Sequence, residues 1–201
     1  MRRKTLHEIH GKNEGRFSRL RMNRNVVAFT IGLLVPFSTF CLYQPALAQA
    51  KDPIAAIRQQ YAAINKRSPR YRKVNKELSG FSLEGGELFA YFDGPAIVKI
   101  VARHFGESGN TVEEYYYWNG QLIFAFEKVS RYNRPLSGRV VSAVENRFYF
   151  NDGNLIRWIG EKGKEAPVSE AYRLKEKVFL ENSNTFVIGA RSTKPVIESQ
   201  P

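Results

Sequence analysis

The stretch that decides the fold is Tyr115-Tyr116-Tyr117-Trp118-Asn119-Gly120-Gln121-Leu122-Ile123-Phe124. Aromatic residues run into Asn-Gly and an apolar segment returns. A two-residue hairpin turn needs φ > 0 at both central positions, and Asn-Gly tolerates that, so the stretch reads as a β-hairpin. Two similar units flank it. Ala90-Tyr91-Phe92-Asp93-Gly94 precedes Ala96-Ile97-Val98, and Tyr149-Phe150-Asn151-Asp152-Gly153 precedes Leu155-Ile156-Arg157. Gly94, Gly120 and Gly153 recur at spacings of 26 and 33 residues. This is an imperfect hairpin repeat whose extra length sits in a loop over 130–138.

Worked outward, the repeat predicts six antiparallel strands in a meander: 87–92, 95–104, 111–118, 121–129, 144–151 and 154–160. In the middle hairpin an unbroken register pairs Trp118 with Gln121, Tyr117 with Leu122, Tyr116 with Ile123 and Tyr115 with Phe124. One face then carries Tyr115, Tyr117, Leu122, Phe124 and Phe126 as core. The other carries Glu114, Tyr116, Trp118, Gln121, Ile123 and Ala125, the mixed composition of a partly wet sheet face.

Before the sheet, Ile54, Ile57, Tyr61 and Ile64 lie on one face of a helix over 53–66, with Asp52 as cap and Pro53 in the first turn. Ser68-Pro69 ends it, and 70–76 reads as a basic connector or a second short helix. After the sheet, Ser169 caps a helix expected to reach about Glu181, with Tyr172, Val178 and Phe179 inward. A short strand is expected at 185–188. The fold class is α+β, an antiparallel β-meander of about six strands flanked by an N-terminal and a C-terminal helix. The chain divides into a leader (1–50), a helix with basic connector (51–80), the meander with its C-terminal helix (81–190) and a loose tail (191–201).

The leader has the order of a secretory signal. Arg21 and Arg24 precede an uncharged apolar stretch from Val26 to Tyr43, and Pro45 leads into Ala46-Leu47-Ala48-Gln49-Ala50. Cleavage is expected after Ala48 or Ala50, giving a periplasmic or secreted protein. The competing arrangement is an uncleaved Val26–Tyr43 membrane anchor, disfavoured by Pro36, Ser38 and Thr39 inside it. Met22 stands directly before the apolar run and reads as the initiator, with 1–21 an over-extension. Cys41, the one cysteine, lies in the leader, so the remaining domain has neither disulfide nor thiolate chemistry.

The formal charge of +12 suggests nucleic acid until it is divided along the chain. Residues 51–201 hold 23 basic and 17 acidic residues, and eight of those basic residues fall in 51–76. The excess is one short stretch: Lys66, Arg67, Arg70, Arg72, Lys73 and Lys76 around Tyr71. It is either an anionic-surface contact for lipid headgroups, a cell-wall polymer or an acidic envelope protein, or a solvated helix end and linker; the second is favoured, since charge runs are common on surfaces. Nucleic acid is disfavoured, as an exported chain shows no binding motif for it.

No catalytic, cofactor or metal constellation emerges. His104 is the one histidine after the leader and lacks partners at ligand or triad spacing, so a structural role is expected. Glu113 and Glu114 are strand neighbours and point to opposite faces. Asp93 and Asp152 are explained by turns. A carboxylate pair drawn from Glu84, Glu87 or Glu127 has nothing to single it out. A partner-binding patch of Tyr116 and Trp118, with Arg147 and Trp158 nearby, suits sugar stacking or a protein interface. Its competitor, slightly preferred, is that a helix covers this face and makes these residues second-layer core.

The run Arg147-Phe148-Tyr149-Phe150-Asn151-Asp152-Gly153-Asn154-Leu155-Ile156-Arg157-Trp158-Ile159, with its weaker copy before Gly120, resembles exported bacterial envelope proteins built from repeated aromatic-(Asn/Asp)-Gly hairpins. The resemblance covers roughly 52–180. It implies bacterial origin and periplasmic or secreted residence, and carries over no functional residue. The resulting expectation is a non-catalytic envelope module that binds a partner or ligand across its sheet. Two alternatives stand beside it: an enzyme on cell-wall or other glycans working through carboxylates, and a secreted hydrolase inhibitor.

Overall fold

The computed structural model describes residues 52–199. The leader, its cleavage site and Met22 lie outside the described residues. Within them the fold is α+β. One sheet of eight mostly antiparallel strands carries two long helices, one N-terminal and one C-terminal. Helix α1 spans Pro53–Arg67 and α2 spans Glu170–Arg191. The strands are β1 (Arg72–Ser79), β2 (Gly86–Asp93), β3 (Ala96–Gly106), β4 (Gly109–Trp118), β5 (Gln121–Tyr132), β6 (Val140–Asn151), β7 (Asn154–Ile159) and β8 (Val196–Glu198). The spatial order is β7-β6-β5-β4-β3-β2-β1-β8, a meander closed at one edge by β8 lying parallel to β1. No helix among the described residues is long and apolar enough to cross a membrane.

The three hairpins share a geometry that the unbroken register did not foresee. Each closes through two residues and then slips by one. Tyr117 pairs with Leu122 but Tyr116 with Phe124; Phe92 pairs with Ile97 but Tyr91 with Lys99; Phe150 pairs with Leu155 but Tyr149 with Arg157. The third residue of each returning strand, Val98, Ile123 and Ile156, is therefore a β-bulge. The slip moves Phe124 from the expected Tyr115 face to the Tyr116 face. In the first hairpin the turn is Gly94-Pro95 rather than Asp93-Gly94, with Gly94 at φ +60. Proline holds φ near −65°, so only the residue before it can take the positive value. Asn119 and Asp152 do adopt positive φ with the glycine that follows each.

The two sheet faces are covered separately. Under α2 lie Leu88, Ala90, Ile100, Ala102, Tyr115, Ala125, Phe148 and Phe150, packed against Tyr172, Phe179, Phe186 and Ala190. Under α1 lie Tyr116, Phe124 and Tyr149, met by Ile57 and Ile64. Both helices start as expected. Asp52 Oδ1 accepts from the Ile54 N–H at 2.9 Å, and Ser169 Oγ accepts from that of Tyr172 at 3.3 Å.

Eight strands replace the expected six. Residues 72–79 form a strand, not a connector or helix, after a 3-10 turn at Ser68–Arg70. Its alternation is masked because one inward position is Lys76. That side chain is only 8% exposed, and its ammonium donates to the carbonyls of Ser192, at 2.8 Å, and Lys194. It thus satisfies the C-terminal end of α2, where the helix dipole favours a cation. Residues 196–198, expected in the loose tail, form β8 with Ile197 buried. Three residues are too few to show a period. The strand expected at 185–188 is the last part of α2: the β-branched residues favour a strand locally, but Phe186 and Ala190 find the core only on a helix. Gly189 lets the layers meet, since a Cβ there would lie 2.6 Å from Ile197.

Replacing Lys76 with methionine keeps most of the stem and strands two carbonyls. Stability should fall by about 2 kcal/mol, read as a lower urea midpoint, whereas Lys66→Met should stay within about 0.5 kcal/mol.

Candidate functional site

The slip at Ile123 sorts the polar residues of β4 and β5 into two constellations, one on each face. On the α1 face, Lys99, Glu114, Tyr116 and Asn65 form a compact network. Lys99 Nζ lies 2.9 Å from Glu114, donates to the Tyr116 hydroxyl at 2.8 Å and reaches Asn65 Oδ1 at 3.2 Å. The Tyr116 hydroxyl donates to Glu114. Burial first, and the Glu114 carboxylate second, push the Tyr116 phenol far above its ordinary value.

Beside this network is a cavity of about 310 Å³ lined by Arg58, Tyr61, Glu114, Phe124, Phe126, Arg147 and Tyr149. Phe124 and Tyr149 are buried and meet edge to face, with ring centres 5.1 Å apart. Tyr61, on α1, leans on Phe124 and Tyr116 at 5.1 and 4.8 Å and stays 38% exposed. The Arg58 guanidinium lies 5.9 Å from the centre of the Tyr149 ring, and that of Arg147 lies 5.5 Å from Phe126. Arg147 also pairs with Glu145 at 2.9 Å. The result is a concave aromatic floor with guanidinium groups at its edge, the composition typical of small-ligand sites.

On the α2 face, Glu113 and Glu127 stand directly opposite each other across β4 and β5. They are 8% and 5% exposed. Like charges so placed repel, and each is held by its own partners. Glu127 receives Lys175 Nζ at 2.6 Å and Asn146 Nδ2 at 2.8 Å. Glu113 receives the Tyr115 hydroxyl at 2.6 Å and lies 3.3 Å from His104 Nε2. His104 Nδ1 is buried without a hydrogen-bond partner among the described residues. Burial, then Glu113, raises the Tyr115 phenol well above its ordinary value. Among the described residues no group of acidic, histidine or cysteine side chains has metal-holding geometry.

The expected patch residues are divided by these faces. Tyr116 is fully buried beneath α1, and Arg147 lines the aromatic cavity on the same side. Trp118 is 45% exposed at the start of α1, in a separate cavity of about 430 Å³ with Pro53, Gln60 and Gln121. Trp158 lies across the sheet, packed on Phe148 and Tyr172 and donating to Asn146 Oδ1 at 3.0 Å. The basic stretch is also dispersed. Lys66 and Arg70 are exposed and Arg67 pairs with Asp93 at 3.0 Å. Arg72 stacks on Phe92 at 4.1 Å, Lys73 on Phe89 at 3.9 Å, and Lys76 is internal.

Sequence reasoning missed Arg58, Tyr61 and Phe126 as one site. Arg58 and Tyr61 are three apart on a helix, so they share a flank; that was readable, but the strand residues beneath them depended on the slipped register. Lys175 was missed because no pattern ties it to Glu127. Comparison with protein-family models, curated proteins and solved structures finds no match to this chain.

Tyr115, Tyr116 and Tyr117 all keep their protons in the fold beyond the ordinary value of 10.0, chiefly through burial. Below that value both folded and unfolded chains hold the protons, so this source of stability is intact. Above it only the unfolded chain releases them, and stability falls as pH rises. Absorbance at 295 nm should show these phenols ionising in one step with alkaline unfolding. Smooth titration of every tyrosine near pH 10, with far-UV circular dichroism unchanged, would contradict the burial.

Proposed function

We propose that this chain is an exported, non-catalytic binding module of a bacterial envelope, and that it binds through the α1-side cavity. The observation that carries the reading is the convergence of Arg58 and Arg147 on the floor of Phe124, Phe126 and Tyr149. Packing alone does not call for two guanidinium groups at the rim of an aromatic hollow, whereas recognition does. The export half rests on the order of charge, apolar stretch and small residues in 1–50.

The tagged full chain, recovered from envelope extract, should retain a bound compound or partner that the Arg58→Ala/Arg147→Ala variant loses. Identical retention by the double variant would move binding elsewhere. Intact chain in the cytosol, still bearing residues 1–50, would end the export half.

A second reading, an enzyme acting on glycans, draws support from the Glu113–Glu127 pair. Directly opposed strand residues have Cβ atoms about 5 Å apart, and glycosidases that retain configuration hold their carboxyl groups at about that separation. It ranks lower because both carboxylates are already occupied, one by Lys175 and the other by Tyr115. Turnover of cell-wall glycan by the wild-type chain, lost in Glu127→Gln with the fold intact, would promote it. No turnover by the wild type would dismiss it.

A further inference from the structure

We infer that the α1-side cavity takes a small monoanion with a flat apolar body, an aromatic carboxylate being the simplest example. The inference rests on the reading that this cavity is the binding site and adds the class of ligand.

Charge sets the sign of the ligand. Two cations, Arg58 and Arg147, stand on the cavity wall, while Lys99 pairs with the wall's Glu114 and Lys128 with Glu145 next to Arg147. Two carboxylates answer them. Glu114 is held by Lys99 and by the Tyr116 hydroxyl, so the one acid on the wall is already neutralised. Glu145 is shared between Arg147 at 2.9 Å and Lys128 at 3.6 Å. Among the described residues no ion pair is formed by Arg58. A cationic ligand would meet this excess unfavourably, whereas an anion meets two guanidinium groups that can donate paired N–H bonds to a carboxylate.

Shape sets the body. Phe124, Phe126 and Tyr149 supply ring surface on the floor, and Tyr61 stands at the side, with its ring tilted 68° to that of Phe124. A flat ring can lie over such surfaces and gain stacking contact as well as burial. A volume of about 310 Å³ is at the small end of ligand cavities, which fits one or two fused rings. Both guanidinium groups lie within 6 Å of floor-ring centres. An anionic head can therefore reach them while the body stays on the rings.

The test compares 2-naphthoate with its neutral counterpart 2-naphthamide by calorimetry on the full chain at low salt. Naphthoate should bind at least about tenfold more tightly, and added salt should weaken naphthoate alone. Arg58→Gln and Arg147→Gln should each weaken naphthoate about tenfold and leave naphthamide unchanged. Phe126→Ala, checked for its fold by circular dichroism, should weaken both probes. Equal affinities for the two probes, indifference of naphthoate to both arginine changes, or no binding of either probe would overturn the anion assignment. The reading of the cavity as a binding site fails separately, if Phe126→Ala leaves a bound probe unaffected.

Discussion

Everything distinctive in this fold depends on one backbone constraint, the slip of a single residue after each two-residue turn. A hairpin with unbroken register alternates strictly, so a one-residue slip sends every later side chain of the returning strand to the other face. Here the slip occurs at Val98, Ile123 and Ile156, the same place in all three hairpins. Pleat alternation already turns Phe92, Tyr117 and Phe150 toward α2 just before the turns and Tyr91, Tyr116 and Tyr149 the other way, and the slip makes the returning strands match that division. Adjacent aromatics thus serve two layers at once. Both sheet faces become apolar enough to need a helix, and the chain supplies one for each.

Unequal helix lengths then decide where polar groups can gather. The 22-residue α2 crosses most of the sheet and ends on β8, where Lys76 holds the carbonyls of Ser192 and Lys194 just past the helix. The 15-residue α1 covers only the segment of β4, β5 and β6 beside the turns. Along its flank Lys99 pairs with Glu114 under Asn65, and further out the strands continue with Lys128 against Glu145 and Arg147 over Phe126. The cavity forms where the covered part ends. Its floor still belongs to the core under α1, and its rim already belongs to the ionic surface.

Much of this was legible in the residues. Asn-Gly and Asp-Gly located the hairpins, Asp52 and Ser169 located the helix starts, and the preference for a helix over the Tyr116 face agrees with α1 lying there. What escaped detection has physical causes. An inward lysine hid β1, and three residues could not announce β8. Local β propensity at Thr185–Ile188 concealed a helix that tertiary packing imposes. The patch imagined around Tyr116 assumed that Trp158 shared its face. The slip in the last hairpin, together with contacts to Tyr172, places Trp158 under α2, where its indole orients Asn146 toward Glu127.

The bulge at Ile123 also explains why neither polar constellation could be found by spacing alone. Without it, Glu113 would oppose Phe126, and Phe124 and Phe126 would join the Tyr115 face. With it, Glu114 opposes Phe126 and Glu113 opposes Glu127. One inserted residue therefore brings the aromatic floor onto the face of Tyr116 and Glu114 and, on the reverse side, drives two carboxylates together. The second arrangement costs energy and persists because Lys175, Asn146, Tyr115 and His104 each contribute a contact to it. The first leaves an excess of positive charge at a hollow surface. Of these two consequences of one slip, the hollow is the one that turns its guanidinium groups toward an open cavity.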